Sequence, residues 1–127
     1  MWIDWFRNRD FTAALTMEKL AQQPELIATT QPVLMEVRAG AQPAVLTRLE
    51  EVLAGSVQLD LDPAVDFHQA ADLYRAVRRA GDTVRSLVGC LIASVALRTG
   101  ARLVHKDIDY ERLAAVAPGL RTMPLFD

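Results

Sequence analysis

Cysteine is almost missing from this chain: Cys90 is the one cysteine in 127 residues, which rules out an internal disulfide framework and suits a reducing cytoplasm. A basic excess is missing as well. Fourteen Lys and Arg stand against 16 Asp and Glu, for a net charge of -2 and a pI near 5.6, so no general basic coat for nucleic acid exists and any RNA contact must use a local patch. Long apolar runs are absent too. The longest, Leu87 to Leu97 with Gly89 and Ser94 inside it, is about half of the roughly 20 residues a membrane helix needs, which excludes a membrane span. The opening Met1-Trp2-Ile3-Asp4-Trp5-Phe6-Arg7 carries charge where a signal peptide needs its apolar core, which argues against secretion. No internal repeat, low-complexity tract or linker interrupts the chain.

What is present reads as one globular domain over residues 1–127. Hydrophobic residues make up 51% and charged residues 24%, a balance that fits a folded core and not a disordered chain. A chain of this length buries about two thirds of its unfolded surface. Residues 10 to 23 predict a helix and Leu26 to Thr30 a short buried strand. Pro32 at a first helical position and Gly40 at a stop frame a helix over Val33 to Ala39. Val45, Leu46, Leu49, Val52 and Leu53 repeat at helical spacing before Gly55, and Val57 to Leu61 alternates as a strand does.

Asp62 as N-cap and Pro63 at the first position open the longest predicted helix, which Gly81 closes; Ala70, Leu73, Tyr74 and Val77 form its buried stripe. Ser86 caps the next helix, whose Val88, Leu91, Ile92 and Val95 face the core before Gly100. A strand at Ala101 to His105, a helix from Tyr110 to Ala117, a Pro118-Gly119 turn and a strand at Thr122 to Phe126 complete the series. Alternating strands and helices favour an α/β fold with a parallel sheet covered on both faces, where ligands gather beyond the carboxyl ends of the strands.

That placement draws attention to acidic residues. Glu36 follows the strand at 26–30, and Asp107 and Asp109 directly follow the strand at 101–105, so three carboxylates can converge at one sheet edge. Clustered carboxylates repel unless a cation neutralises them, and hard oxygen donors prefer Mg²⁺ or Mn²⁺. Each also has a plainer explanation. Asp107 and Asp109 are favoured residues for capping the helix at 110, and Glu36 is an ordinary glutamate for a helix surface. His68 and His105 are not spaced as a metal pair with each other or with Cys90; His68 reads as a helix-surface residue, His105 as a strand end bordering the site, and Cys90 as a small core residue.

The order of segments then carries a resemblance. Trp2-Ile3-Asp4-Trp5-Phe6-Arg7, Pro32-Val33-Leu34-Met35-Glu36-Val37, Thr83-Val84-Arg85-Ser86, Cys90-Leu91-Ile92-Ala93 and Asp107-x-Asp109-Tyr110-Glu111, taken together, resemble the VapC-type PIN-domain toxins of type II toxin-antitoxin systems over nearly the whole chain. The resemblance implies a PIN-like three-layer α/β fold with a mostly parallel sheet flanked by helices. It also implies a cytoplasmic, Mg²⁺-dependent (or Mn²⁺-dependent) endoribonuclease that hydrolyses RNA phosphodiester bonds, partnered by a VapB-like antitoxin and usually dimeric. Glu36, Asp107 and Asp109 fall on the family's catalytic and metal-ligand positions. Arg85 and Lys106 are expected to contact RNA phosphates, with Arg75, Arg78 and Arg79 as further candidates, although Arg78-Arg79 equally suits the solvated C-terminal end of a helix.

Two departures from the family pattern bear on activity. The family's first strand ends in an aspartate that serves as a metal ligand, and this chain begins after it; Met1 falls where the family often has valine, so an upstream start is expected, and Asp4 lies in the following helix. Gly89 occupies the position of the central aspartate in Ser-x-x-Asp-Cys-Leu-Ile-Ala. An acidic side chain three residues after a Ser86 cap would suit the first-turn amides and the helix dipole, whereas glycine costs about 1 kcal/mol of helix propensity, so Gly89 reads as a lost ligand. By resemblance the chain is an enzyme lacking two expected acidic ligands. The alternatives are a catalytically inactive PIN module that binds an antitoxin or RNA, and a truncated remnant that does not fold alone.

Overall fold

The structure, a computed structural model, describes residues 27–125. The expectations for the Trp2-to-Arg7 opening, for a helix at 10–23, for the first strand and for Phe126 lie outside the described residues. The described residues fall into two compact units, one running from Asp60 to Pro124 and the other holding residues 27–59 and Leu125.

In the unit before Asp60, strand β1 (Ala28–Thr29), helix α1 (Gln31–Gly40), helix α2 (Pro43–Ala54) and strand β2 (Val57–Gln58) follow one another. Both helices begin with proline in the first turn, where the missing N–H is one that no helix could satisfy anyway. Leu49 and Leu53 of α2 are fully buried, as the helical spacing of the sequence requires. An Arg38–Glu50 ion pair joins α1 to α2. The strands pair in parallel, with Ala28 opposite Val57 and Thr29 opposite Gln58. The strand expected over Val57 to Leu61 is thus only two residues long.

The second unit contains α3 (Asp66–Arg79), α4 (Leu87–Thr99), β3 (Leu103–His105), α5 (Ile108–Val116) and β4 (Thr122–Pro124). Helix α3 packs against both α4 and α5, which also touch each other. Ala70, Leu73 and Val77 supply the α3 side of this core, Cys90, Ala93 and Val95 the α4 side, and Leu113 the α5 side. Strands β3 and β4 pair in parallel, with Val104 opposite Met123. The four described strands are all parallel-paired, as the sequence predicts, β1 with β2 and β3 with β4.

One helix start differs from the sequence reading. Helix α3 opens at Asp66 with Val65 at the N-cap, three residues later than an Asp62 cap would place it. The Asp62 carboxylate instead accepts the Ala64 N–H at 3.0 Å, and the Asp62 carbonyl accepts the N–H groups of Val65 and Asp66. A short aspartate that finds its own backbone amide two residues on makes a turn before the helix can start. The other end behaves as expected: Gly81 takes φ +90°, its N–H bonds the Arg78 carbonyl and the Asp82 N–H bonds the Val77 carbonyl. These paired bonds close a helix through a left-handed glycine.

Candidate functional site

The loop between α3 and α4 brings Arg85 to the start of α5. Its sequence supplies the means: Gly81 turns the chain out of α3, Val84 buries at 2% exposure, and Ser86 caps α4 by accepting the Gly89 N–H at 3.2 Å. Between these anchors Arg85 faces two aspartates. Its backbone N–H donates to Asp109 Oδ2 at 2.9 Å and its Nε to the same oxygen at 3.3 Å. Its Nη2 donates to Asp107 Oδ1 at 3.0 Å. One guanidinium therefore bridges both carboxylates, the geometry in which planar arginine is strongest.

Asp107 is the N-cap of α5. Its carboxylate accepts the Asp109 N–H at 2.9 Å, so the helix starts at Ile108 and not near Tyr110, and the capping role foreseen for Asp107 is real. Asp109, 6% exposed, receives a second guanidinium. Arg112 Nη1 donates to Asp109 Oδ1 at 2.8 Å, one helical turn along, and Arg112 Nε reaches Asp82 at 4.0 Å. Burial works to raise the Asp109 pKa; the bonds from Arg85 and Arg112 outweigh it and hold the carboxyl below its usual value. Sequence reasoning missed Arg112, although its three-residue spacing from Asp109 on one helix face was a readable signal.

Behind this pair lies His105, the last residue of β3, fully buried. Its Nδ1 accepts the Asp107 N–H at 3.0 Å, which leaves the ring proton on Nε2, 2.6 Å from Glu111 Oε2. The ring also packs on Tyr110, with centroids 5.1 Å apart. His105, read from the sequence as a strand end, thus adjoins Asp107 and Glu111. For Glu111, burial raises the pKa, and the bonds from His105 and Thr122 more than reverse it.

Gly89 sits in the first turn of α4. A Cβ built there would meet the Tyr110 hydroxyl at 3.7 Å and Ser86 Cβ at 3.8 Å, both ordinary contacts. Nothing in these surroundings calls for glycine. Next to it Cys90 is fully buried, and burial, with a smaller contribution from the Asp109 charge, pushes its thiol up to about 11.

Of the other residues singled out from the sequence, Lys106 follows β3 and is half-buried, and Arg75, Arg78, Arg79 and His68 are exposed on α3. Glu36 is exposed on α1 of the first unit, whereas Asp107, Asp109 and Arg85 stand together in the second. Among the described residues, no group of three or more His, Cys, Asp or Glu side chains is placed to hold a metal ion. Asp107 and Asp109 have the hard oxygens that Mg²⁺ or Mn²⁺ takes, and an ion that keeps most of its waters needs only one or two carboxylates, so the pair fits such an ion in donor chemistry.

A second polar cluster escaped the sequence reading. Asp66, with no exposed surface, accepts from Ser94 Oγ at 2.7 Å, from Arg98 Nε and Nη2 at 3.2 and 2.8 Å, and from the Asp62 N–H at 2.8 Å. Ser94 and Arg98, four residues apart on α4, were the signal: a hydroxyl and a cation aligned on one face of an otherwise apolar helix.

Comparison with known proteins matches the geometry to a family. The PIN domain family matches residues 1–116. A VapC ribonuclease of Mycobacterium bovis, Mb1587, is 42% identical over 117 residues, which cover 91% of this chain and 87% of the relative. Ribonuclease VapC11 of Mycobacterium tuberculosis matches with the same identity and coverage. The crystal structure of VapBC2 from Rickettsia felis, bound to a DNA fragment from its promoter, overlays with a TM-score of 0.68 over 98% of this chain and 92% of that one, at 20% identity. That overlay shows a shared fold, and among the described residues no helix is long and apolar enough to cross a membrane. A PIN-like α/β fold and a 42% match to VapC ribonucleases across nine-tenths of the sequence lead to one assignment: this chain belongs to the PIN-domain family, in its VapC branch.

Proposed function

We propose that this chain is the toxin of a type II toxin-antitoxin system, an endoribonuclease that hydrolyses RNA phosphodiester bonds and pairs with a VapB-like antitoxin. The observation that carries this reading is the 42% identity to proteins named as VapC ribonucleases over 91% of the chain. Glu36, Asp107 and Asp109 are the proposed catalytic and metal-holding carboxylates, and Mg²⁺ or Mn²⁺ the proposed cofactor. Such an ion, when bound, supplies an activated water and stabilises charge on the departing oxygen. Asp107 supports the reading by its position: it follows β3 directly, and its carboxylate is 42% exposed. Arg85, 72% exposed along its side chain, and Lys106 are the proposed phosphate contacts. A homodimer in the cytoplasm is the proposed working form.

A second reading is favoured by Gly89 and by Asp109. A PIN module without its central aspartate, and with both oxygens of Asp109 taken by guanidinium groups, is suited to binding an antitoxin or RNA without cutting it.

The two readings separate in one assay. Radiolabelled RNA is incubated with the purified chain, its Asp107→Asn variant and its Gly89→Asp variant, in Mg²⁺, Mn²⁺ or EDTA. The enzyme reading expects metal-dependent cleavage that Asp107→Asn abolishes and Gly89→Asp strengthens. Cleavage by none of them, together with co-purification of a VapB-like antitoxin, replaces it with the binding module.

A further inference from the structure

We propose that Arg85 is a built-in counter-cation which occupies the Asp107–Asp109 pair and which a divalent metal ion must displace. This inference rests on the reading of those aspartates as metal ligands and adds a competitor from the chain itself.

The Arg85 guanidinium donates to Asp109 Oδ2 through Nε and to Asp107 Oδ1 through Nη2, so it takes up one oxygen of each carboxylate. An ion that took those oxygens would compete with the guanidinium for them, because two cations cannot share them without strong repulsion. Arg112 holds the opposite oxygen of Asp109, with Thr83 and Asp82 as its further partners, and is therefore not in the bridging position.

Displacement is feasible because of how Arg85 is anchored. Its backbone N–H bonds Asp109 independently of the side chain, so the loop stays docked when the guanidinium leaves. The side chain itself is 72% exposed, and a long, solvated arginine loses little on swinging into water. The loop and the charge are thus held by different atoms of one residue, which allows the charge to move while the fold does not.

The competition has a direct consequence for metal affinity. Replacing Arg85 by glutamine removes the competing charge and keeps the backbone bond, so Mn²⁺ should bind more tightly by roughly three- to tenfold, the range set by a solvent-screened charge-assisted contact. Arg85→Lys keeps the charge but loses the planar two-carboxylate bridge, so its affinity should fall between the two.

The experiment is Mn²⁺ titration of the full chain, followed by electron paramagnetic resonance of the free ion, for the unaltered protein, Arg85→Gln, Arg85→Lys and the Asp107→Asn/Asp109→Asn pair. Tighter binding in the order Arg85→Gln, Arg85→Lys, unaltered, with binding lost in the double variant, supports the proposal. Binding that disappears in the double variant but is equal or weaker in Arg85→Gln and Arg85→Lys overturns the role of Arg85 and leaves the metal-ligand reading standing. Binding that survives unchanged in the double variant, or is absent from every protein, overturns both. Should Arg85→Gln fail to fold, Arg85→Lys against the unaltered chain decides by the same criteria.

Discussion

Arg85 and Asp109 are joined twice, by a backbone N–H and by a guanidinium Nε that converge on the same carboxylate oxygen. A loop and a helix start 24 residues apart in sequence are thereby fixed to one another through a single buried side chain. Asp109 consequently carries structure whether or not it also carries chemistry. Replacing it with alanine would orphan the Arg85 amide and leave the Arg112 guanidinium without its best partner. The expected cost is about 2 kcal/mol, the scale for losing a buried, charge-assisted acceptor, read as a lower urea midpoint with an unchanged slope. Asp107→Ala, which removes a half-exposed cap, should cost about 1 kcal/mol. Equal losses at the two positions would contradict the unequal burial seen here.

Acid should unfold this chain through a short list of carboxyls. Asp66 and Asp109 are both held below their ordinary values: burial pushes each upward, and the Arg98, Asp62 and Ser94 bonds to Asp66, like the Arg85 and Arg112 bonds to Asp109, more than reverse it. A folded-state pKa below the unfolded one gives stability that is fully present above the unfolded value, near 4, and is lost as pH falls through the folded value. Glu111 has the same sign. Thermal melts from pH 7 down to pH 3 should therefore show a falling Tm that steepens below about pH 4, and Asp66→Asn should flatten the curve while lowering its plateau. An unchanged acid limb in that variant would remove Asp66 from the account.

Much of this fold could be read in the sequence, and the reasons differ from element to element. Leu49 and Leu53 on α2, and Ala70, Leu73 and Val77 on α3, declare their buried faces by spacing alone, because a helix repeats its contacts every three to four residues. Ser86, Gly81 and Gly100 marked helix ends correctly, since caps and left-handed turns are chemically specific. Asp62 misled because an aspartate before proline suits a turn as well as a cap, and only its reach to Ala64 chose between them. The site was legible in part for a similar reason. The family pattern picked out Asp107 and Asp109, but that one arginine spans both is a fact of tertiary structure, and no spacing rule links residue 85 to residues 107 and 109. The buried Asp66 network was half-legible: Ser94 and Arg98 stand out on an apolar helix, but that they meet Asp66, 28 and 32 residues away, is again tertiary.

Cys90 should be inert while the protein is folded. Its side chain has no exposed surface, and burial lifts the thiol to about 11, so at pH 8 almost none of it is thiolate, the form that reacts. Ellman's reagent should titrate no thiol in the native protein and one per chain in guanidinium chloride. The same shift makes stability fall on the alkaline side. A folded pKa above the unfolded one contributes fully below the unfolded value, about 8.5, and is lost as pH rises toward the folded value. Cys90→Ala should thus flatten the stability profile above pH 9. Rapid labelling under native conditions would mean that α4 opens locally far more often than its buried contacts allow.

Gly89 offers the sharpest test of whether this position is a structural choice or the trace of a lost side chain. Glycine in a helix costs about 1 kcal/mol relative to alanine, because the unfolded backbone has more freedom to lose. That cost is worth keeping where a Cβ would clash or where φ is positive, and neither holds: the nearest atoms to a built Cβ lie at 3.7 and 3.8 Å. Gly89→Ala should therefore stabilise the chain by about 0.5–1 kcal/mol, seen as a higher urea midpoint. Gly89→Asp adds a charge at the third residue after the Ser86 cap, where the helix dipole and the first-turn amides favour an anion. It should match the alanine variant in stability at low salt and gain Mn²⁺ affinity over it. If Gly89→Ala instead lowers the midpoint, the Tyr110 hydroxyl and the α4 start need the bare backbone, and the absence of a side chain at 89 is a packing requirement of this fold.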